Sequence, residues 1–410
     1  MKKIKSTIIS AYACDPFKGS EPGIGWNWAI ELARLNYNVF VITRGINKEK
    51  IEKGLANIEP LPNIQFHYYE LPSWLSFIEK TPFGVYSHYY FWQIGIKAVA
   101  KNIIETNNVD IIHHLTWGVF RQPSFLYKLN KPFVFGPIGG AEMTPNKLLK
   151  SLPFKDYFKE LLRVTANYVL VKSPSLTKMY NNAIVIFSRT EETSNFIPSK
   201  YNDKKYVQVD IGIRNINHHT QINKDTKLKV LYVGRFMGWK GVHLSIDAIN
   251  KINEQSEQVE FTIIGSGPFE TALKKRAKSK LIKFIDWVPQ SELHTYYESH
   301  DCFLFPSFHD SGGTVILEAF SNGLPVICLN IGGPNKFVDS SCGFKIEVKD
   351  KSVTEIVNEI SEIITDLNTN KYKLESLKKE AFKKAEYYNW EYIVKTAYSI
   401  IETKIDFNQS

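Results

Sequence analysis

An α/β protein of two doubly wound parallel-sheet domains is the fold class this 410-residue sequence predicts, and three observations predict it. Short β-branched runs alternate with longer helical stretches along nearly the whole chain, the pattern of a parallel sheet covered by helices on both faces. The alternation pauses once, in the polar and pattern-poor stretch 213–227 (IRNINHHTQINKDTK), and then starts again. The chain is also too long for one ordinary core, so two or three domains are the usual outcome. The expected division is a first domain over 1–212, a linker at 213–227, a second domain over 228–389, and a last helix at 390–410 that returns to the first domain. Two such halves joined by a linker imply a deep cleft between them.

The first domain carries strand candidates at Thr7–Ala11, Asn38–Thr43, Ile64–Tyr69, Val109–His113, Phe133–Phe135 and Ala183–Phe187. Its first turn, Asp15–Arg34, brings Gly19, Gly23 and Gly25 ahead of a helix whose apolar face includes Ile24, Trp28, Leu32 and Leu35. Ligands meet the carboxyl ends of the strands in doubly wound sheets. The glycine loop, His113 and His114 at the end of the fourth strand, and Gly136–Gly140 after the fifth therefore all read as ligand-facing. Each also has a plainer reading, as turn glycines or as structural histidines. The loop is no dinucleotide fingerprint, because its spacing is not GxGxxG and no acidic residue follows the second strand.

An aromatic-rich stretch spans Trp74–Trp92. Further on, Phe154, Tyr157, Phe158, Leu161 and Leu162 share one helical face while Lys155, Lys159 and Arg163 recur every fourth residue on another. That pattern fits either a helix lying on an anionic membrane or an ordinary amphipathic helix buried on its apolar side. The second domain repeats the strand rhythm at Lys229–Val233, Glu260–Ile264, Ile282–Ile285, Cys302–Phe305, Pro325–Cys328 and Gly343–Ile346, and the tail Val353–Ile405 is helical with a break at Tyr387–Trp390.

Composition narrows the class. With 43% apolar and 23% charged residues, the chain reads as globular and soluble. Cys14, Cys302, Cys328 and Cys342 show no CxxC spacing and read as buried thiols of a reducing compartment. The opening MKKIKSTIISAYACD reads as a first strand rather than a signal peptide. No apolar run approaches the length of a membrane span. A cytoplasmic protein is expected, with peripheral contact at the inner face of the plasma membrane if the Phe154 helix is interfacial. The net charge of +9 suits anionic ligands or an anionic membrane face and does not by itself argue for nucleic acid.

The stretch Pro306–Val326 (PSFHDSGGTVILEAFSNGLPV) carries the chemistry. It reads as strand, loop, helix and next strand. A helix start with two glycines, Gly312 and Gly313, offers unpaired backbone N–H groups and a partial positive charge to an anion. Glu318, eight residues after Asp310, leans back toward the same end of the helix, so two carboxylates serve one pocket. Alternatively Asp310 or Ser311 is only an N-cap and Glu318 an acid favoured by the dipole. Arg235 and Lys240, in the turn Gly234–Gly241 at the end of a strand, supply the forked and point cations that a diphosphate needs. Gly265 lies in a close-approach turn, Ile264–Pro268, and the backbone at Val288 is placed to read a base edge.

GRF…WKG (234–241), IGSGP (264–268), FIDWVP (284–289) and PSFHDSGG…LEAFSNGLPVI (306–327), in this order and spacing, resemble the C-terminal half of the family-four retaining glycosyltransferases of the GT-B fold. SEPGIGWNWA (20–29) and GPIGGA (136–141) resemble a polysaccharide-assembling branch of that family. The resemblance implies two Rossmann-like domains, the first for the acceptor and the second for a nucleotide-sugar donor. It implies that Arg235 and Lys240 bind the donor diphosphate, that Glu318 holds the ribose, and that Gly312, Gly313 and Thr314 offer amides. It further implies that Gly23 and Gly25 face the diphosphate from the first domain.

Asp310 stands where the family has the first glutamate of an E-x7-E pair that contacts the donor sugar, one methylene shorter. The family's D-x-x-H-x-H pattern appears as Asp110–Leu115, with Leu115 in place of the second histidine. Of the remaining pair, His114 is favoured over His113 as the sugar contact. The implied reaction is sugar transfer with retention to a hydroxyl of a glycan or lipid-linked glycan, of cell-surface polysaccharide type. It needs no cofactor and no metal, since no Asp-x-Asp pair occurs, and the acceptor proton passes to a diphosphate oxygen. Nucleotide-sugar epimerases of the same architecture, and a binding protein that has lost turnover, are the alternatives.

Overall fold

A computed structural model describes residues 4–81, 84–214, 216, 227–256 and 258–407. Of the expected linker 213–227, only 213, 214, 216 and 227 are among them. The chain forms two compact units. The first comprises Met1–Ala141, Ala166–Ile211 and Trp390–Ser410; the second comprises Glu142–Thr165 and Gly212–Asn389.

In the first unit the described strands are β1 (Ser6–Ala11), β2 (Asn38–Arg44), β3 (Ile64–Tyr69), β4 (Ile111–Thr116), β5 (Phe133–Ile138), β6 (Ala183–Ser188) and β7 (Lys205–Val207). They form one parallel sheet in the order β3-β2-β1-β4-β5-β6-β7. Ile9, Ile112, Val134 and Ile186 are fully buried, as strands covered on both faces require. The sheet departs from expectation in three places. β7 is a half-buried edge strand whose Lys-Tyr-Val is too short and polar to announce itself. β5 runs on through Gly136 and Pro137 instead of stopping at Phe135. His113 and His114 lie inside β4 rather than at its end.

Helix α1 (Ser20–Arg34) also starts earlier than expected, so Gly23 and Gly25 are helical and not part of the loop. A Cβ on Gly23 would lie 2.3 Å from the Lys18 carbonyl oxygen, and one on Gly25 would lie 2.2 Å from that of Ala13. These glycines let the first turns of α1 press against the chain leaving β1. Helix α2 (Gly84–Thr106) comes from the aromatic stretch, burying Tyr89 and Trp92.

The division of the chain between Thr165 and Ala166 falls within helix α3 (Phe154–Leu170). Residues 142–165, expected in the first domain, group with the second. Its orientation overturns the ordinary amphipathic reading, because the side it buries is polar. Glu160 and Asn167 are buried with Asp156 and Arg163 half-buried beside them, while Phe154, Tyr157, Phe158, Leu161 and Leu162 are exposed.

In the second unit β8 (Leu228–Val233), β9 (Val259–Ile264), β10 (Ile282–Ile285), β11 (Cys302–Phe305), β12 (Val326–Leu329) and β13 (Gly343–Ile346) form a parallel sheet in the order β10-β9-β8-β11-β12-β13. Leu231, Ile263, Leu304 and Ile327 have no exposed surface. The helices that frame the site are α4 (Val242–Gln255), α5 (Gln290–Glu298) and α6 (Thr314–Ser321), followed by α7 (Val353–Thr369) and α8 (Lys371–Tyr387). The last helix, α9 (Trp390–Phe407), belongs to the first unit, where Tyr398 is buried and donates to Thr7 Oγ1 at 3.2 Å. The four cysteines are free and buried.

Candidate active site

The carboxyl ends of β8, β9 and β11 and the start of α6 place the chemistry-bearing residues of the second unit. Chain leaving β8 enters a single tight turn, Gly238–Lys240, before α4. That turn is stitched to the loop after β11 by a hydrogen bond from Phe308 N to the Trp239 carbonyl at 2.8 Å. Gly241 is obligatory there: its φ is +70°, and a Cβ would lie 2.0 Å from the Pro306 carbonyl oxygen. The consequence is that Lys240, 70 residues away in sequence, forms an ion pair with Asp310. Its ammonium also sits 4.6 Å from the centre of the Trp239 ring and 5.0 Å from that of Phe305, where the ring faces attract a cation.

Arg235 is exposed at the end of β8, and its carbonyl accepts from Met237 N at 3.0 Å. The neighbouring strand ends are tied in series, with Gly234 N donating to Ile264 O and Gly265 N to Ile285 O, each at 3.0 Å. Gly265 therefore lies between the Gly234–Arg235 backbone and the segment that continues to Val288. Val288 is half-buried and the adjacent Trp287 is 74% exposed.

Beyond Asp310 the chain reaches α6 through Ser311, Gly312 and Gly313. Neither Asp310 nor Ser311 caps the helix: Gly313 is the N-cap residue, and no side chain bonds to the first turn. Ile316 N donates to Gly313 O at 2.8 Å, so the N–H groups of Thr314 and Val315 are the ones at this helix start that keep the donor capacity an anion uses. A second glycine pair braces the loop from behind. Gly333 N donates to Asp310 O at 2.5 Å, and a Cβ on Gly333 would lie 2.0 Å from Gly312 O. Gly312 itself has nothing within 4 Å of where a Cβ would be. Gly312→Ala is therefore expected to leave the thermal unfolding midpoint within about 1 °C of the parent, since exposed substitutions cost little. If a ligand approaches this backbone, the same change weakens its binding, read by titration of nucleotide.

Glu318, in the second turn of α6, is half-buried. It accepts from Gln290 Nε2 at 2.9 Å and from the buried Tyr297 hydroxyl at 3.0 Å, both on α5. Burial raises its carboxyl above the usual range, against the lowering effect of those two hydrogen bonds. The two carboxylates are thus held differently, Asp310 by a cation and Glu318 by neutral donors.

Residues 214–384 match the model of the family described as glycosyl transferases group 1. Over that stretch the chain is similar to the group 1 glycosyltransferases. Among relatives, it is 23% identical to an uncharacterized glycosyltransferase of Methanocaldococcus jannaschii over 74% of this chain and 78% of that one. It is 30% identical to the amylovoran biosynthesis glycosyltransferase AmsK of Erwinia amylovora over 27% of this chain and 30% of that one. Its structure superposes on sucrose-phosphate synthase of Thermosynechococcus elongatus with a TM-score of 0.63 at 16% identity, covering 99% of this chain and 100% of that one. HepE of Anabaena in complex with UDP and glucose gives 0.59 at 14%, covering 97% and 99%. At these identities the structural likeness speaks to fold, which is GT-B.

The second unit contains partners that no sequence pattern announced. His309 stacks on Trp239 with centroids 4.4 Å apart and lies 3.2 Å from Glu160 of α3. Glu160 also binds Arg163 and accepts from Thr144 at 3.2 Å. Burial alone would raise the Glu160 carboxyl, but hydrogen bonds and charge from His309 and Arg163 outweigh it and hold the group below the usual range. Gln290, Tyr297 and Glu160 are distant in sequence from the motifs they serve. Only Gly332-Gly333-Pro334 had a legible signal, a glycine pair at a strand end.

In the first unit, His113 Nε2 lies 2.6 Å from the Gly136 carbonyl and Nδ1 lies 3.4 Å from the Tyr398 hydroxyl. His114 Nε2 is 3.3 Å from the Tyr89 hydroxyl and 3.4 Å from the Trp117 carbonyl, while its Nδ1 is buried without a partner. Both rings are fully buried, which pushes His113 down to about 4 and His114 to about 3. Both are neutral at pH 7. Only His114 keeps a ring nitrogen with unused bonding capacity. Among the described residues, no group of three or more His, Cys, Asp or Glu side chains could hold a metal.

Proposed function

We propose that this glycosyltransferase moves a sugar, with retention of anomeric configuration, from a nucleoside-diphosphate sugar to a hydroxyl of a growing cell-surface polysaccharide. The observation that carries this reading is the Lys240–Asp310 pair beside the side-chain-free start of α6. A diphosphate placed there draws Lys240 away from Asp310, and the freed carboxylate can accept hydrogen bonds from the hydroxyls of the donor sugar. A cation–anion contact at ~4 Å near a protein surface is worth about 4 kcal/mol. The exchange is therefore nearly balanced when donor binds, and becomes favourable as charge grows on the leaving diphosphate.

Arg235 and the amides of Gly312, Gly313 and Thr314 share that charge. Glu318 holds the ribose, and the Gly265 and Val288 backbone borders the nucleotide. Protein cations do the neutralising in this scheme, without a metal or other cofactor. The acceptor proton goes to a diphosphate oxygen, so a separate strong base is unnecessary. His114, neutral and with Nδ1 unspent, is the side chain of the first unit assigned to the sugar, and Gly23 and Gly25 keep α1 close to its turn.

The name of AmsK supports a polysaccharide acceptor, free or lipid-linked. The UDP and glucose bound by HepE support a nucleotide-sugar donor, and the cytoplasm is the location proposed with it. Thermal shift against UDP, GDP, ADP and their glucose, galactose and mannose conjugates tests the donor class; a ligand at 100 times its Kd stabilises by about 2.7 kcal/mol. The stabilising donor, incubated with acceptor glycans in EDTA, should yield an α-linked product from an α-linked donor by NMR. Recovery of an epimerised donor, or binding of donor without turnover, would replace the transferase reading.

A further inference from the structure

We infer that α3 is a docking helix that lies flat on an anionic lipid bilayer, with its polar side bonded to the protein and its apolar side in the membrane interface. A water-exposed helix normally buries its apolar stripe; α3 does the reverse. Asp156, Glu160, Arg163 and Asn167, at helical spacing, form the inward stripe. Glu160 binds His309 and Arg163, Arg163 donates to Glu142 O at 2.5 Å, and Asn167 accepts from Arg121 at 2.9 Å and donates to Gly140 O at 3.1 Å. These bonds fix which face looks out. That face carries Phe154, 82% exposed, with Tyr157, Phe158, Leu161, Leu162 and Val169 along it.

The ridge from Phe154 to Val169 is about 22 Å long at 1.5 Å per residue. Contiguous exposed apolar surface of this extent marks a binding face rather than ordinary surface.

Length and charge choose the occupant. With Lys155, Asp156, Lys159, Glu160 and Arg163 among its 17 residues α3 does not cross a bilayer, and among the described residues no helix is long and apolar enough to do so. An interfacial position is what remains for a membrane helix of this length. Lys155 and Lys159 are exposed along the flank of the apolar face, and Lys150 and Lys172 are exposed beyond its two ends. Long lysine stems reach from such positions to acidic headgroups. A second copy of this chain fits less well, because a two-fold contact along α3 would bring the same lysines together on a protein of net charge +9.

Through Glu160 and His309 the docked helix is continuous with the loop that holds Asp310. The inference itself does not rest on the donor assignment, because lipid binding is measured without turnover.

Flotation of the full chain with vesicles tests it. Binding to phosphatidylcholine vesicles containing about 30% phosphatidylglycerol is expected, falling at least tenfold on pure phosphatidylcholine and falling again as salt rises. The double variant Phe158→Glu/Leu162→Glu alters only exposed side chains and should keep the parent's unfolding midpoint while losing at least tenfold in vesicle binding. Lys155→Glu/Lys159→Glu should lose the preference for acidic lipid. Absence of binding by folded parent protein, or unchanged binding by the Phe158/Leu162 variant, would overturn the inference. So would a concentration-dependent dimer abolished by that variant, which would make the face an interface between copies.

Discussion

Lys240→Ala is expected to reduce sugar transfer by roughly 10²–10³-fold while leaving the fold in place. The size follows from the contact: one cation on a developing diphosphate charge is worth several kcal/mol, and loss of a single stabilising donor at a transition state costs about that factor. The variant also strands the Asp310 carboxylate, whose side chain is 22% exposed beside the Trp239 and Phe305 rings that now shelter the lysine. Some destabilisation follows, on the order of 1 kcal/mol for a charge that can still hydrate. A double substitution, Lys240→Ala with Asp310→Asn, should recover the stability but not the rate. The measurements are donor turnover and the unfolding midpoint of each variant. Turnover within threefold of the parent in Lys240→Ala would remove the lysine from the mechanism.

Glu318→Gln should separate binding from stability in the opposite sense. In the folded protein burial raises the Glu318 carboxyl, so the charged form is disfavoured relative to the unfolded chain. The stability linked to this group is therefore fully present below the unfolded carboxylate range, near 4.3 for glutamate, and is lost as pH rises through the higher folded value. Glutamine keeps an acceptor for the Tyr297 hydroxyl and carries no charge to desolvate. The variant should match the parent near pH 4, and unfold at a higher temperature than the parent at pH 7–8. Donor affinity should fall about 5- to 10-fold, the usual worth of a charge-assisted hydrogen bond against a neutral one. A lower midpoint at pH 8 would contradict the account of burial; unchanged donor affinity would contradict the ribose role.

How far the fold was legible in the residues differed between the two sheets. Every strand of the second sheet lies within one residue of its reading, because mainly apolar runs, interrupted by single charged residues such as Lys229, Glu260, Lys283 and Lys345, stand out between Gly, Pro and Asp. In the first sheet β4 was placed too early because His113 and His114 look like a strand end. Their ring bonds to Gly136 and to the Tyr89 and Trp117 groups let both sit in the interior instead. α3 shows the limit of periodicity most plainly: the spacing announced two faces, and only long-range polar partners decided which one turned inward.

By itself the sequence determined the repeated strand-and-helix rhythm, the glycine-rich turns, and the residue types gathered around 234–241 and 306–327. These depend on local periodicity and local backbone preference, which a chain carries in its own order. Only the tertiary structure decided that Lys240 meets Asp310, that Gln290 and Tyr297 hold Glu318, and that residues 142–165 join the second unit. Contacts between residues this far apart arise from how packed elements close on one another, and no spacing in the chain records which of many compatible partners a buried polar group will find.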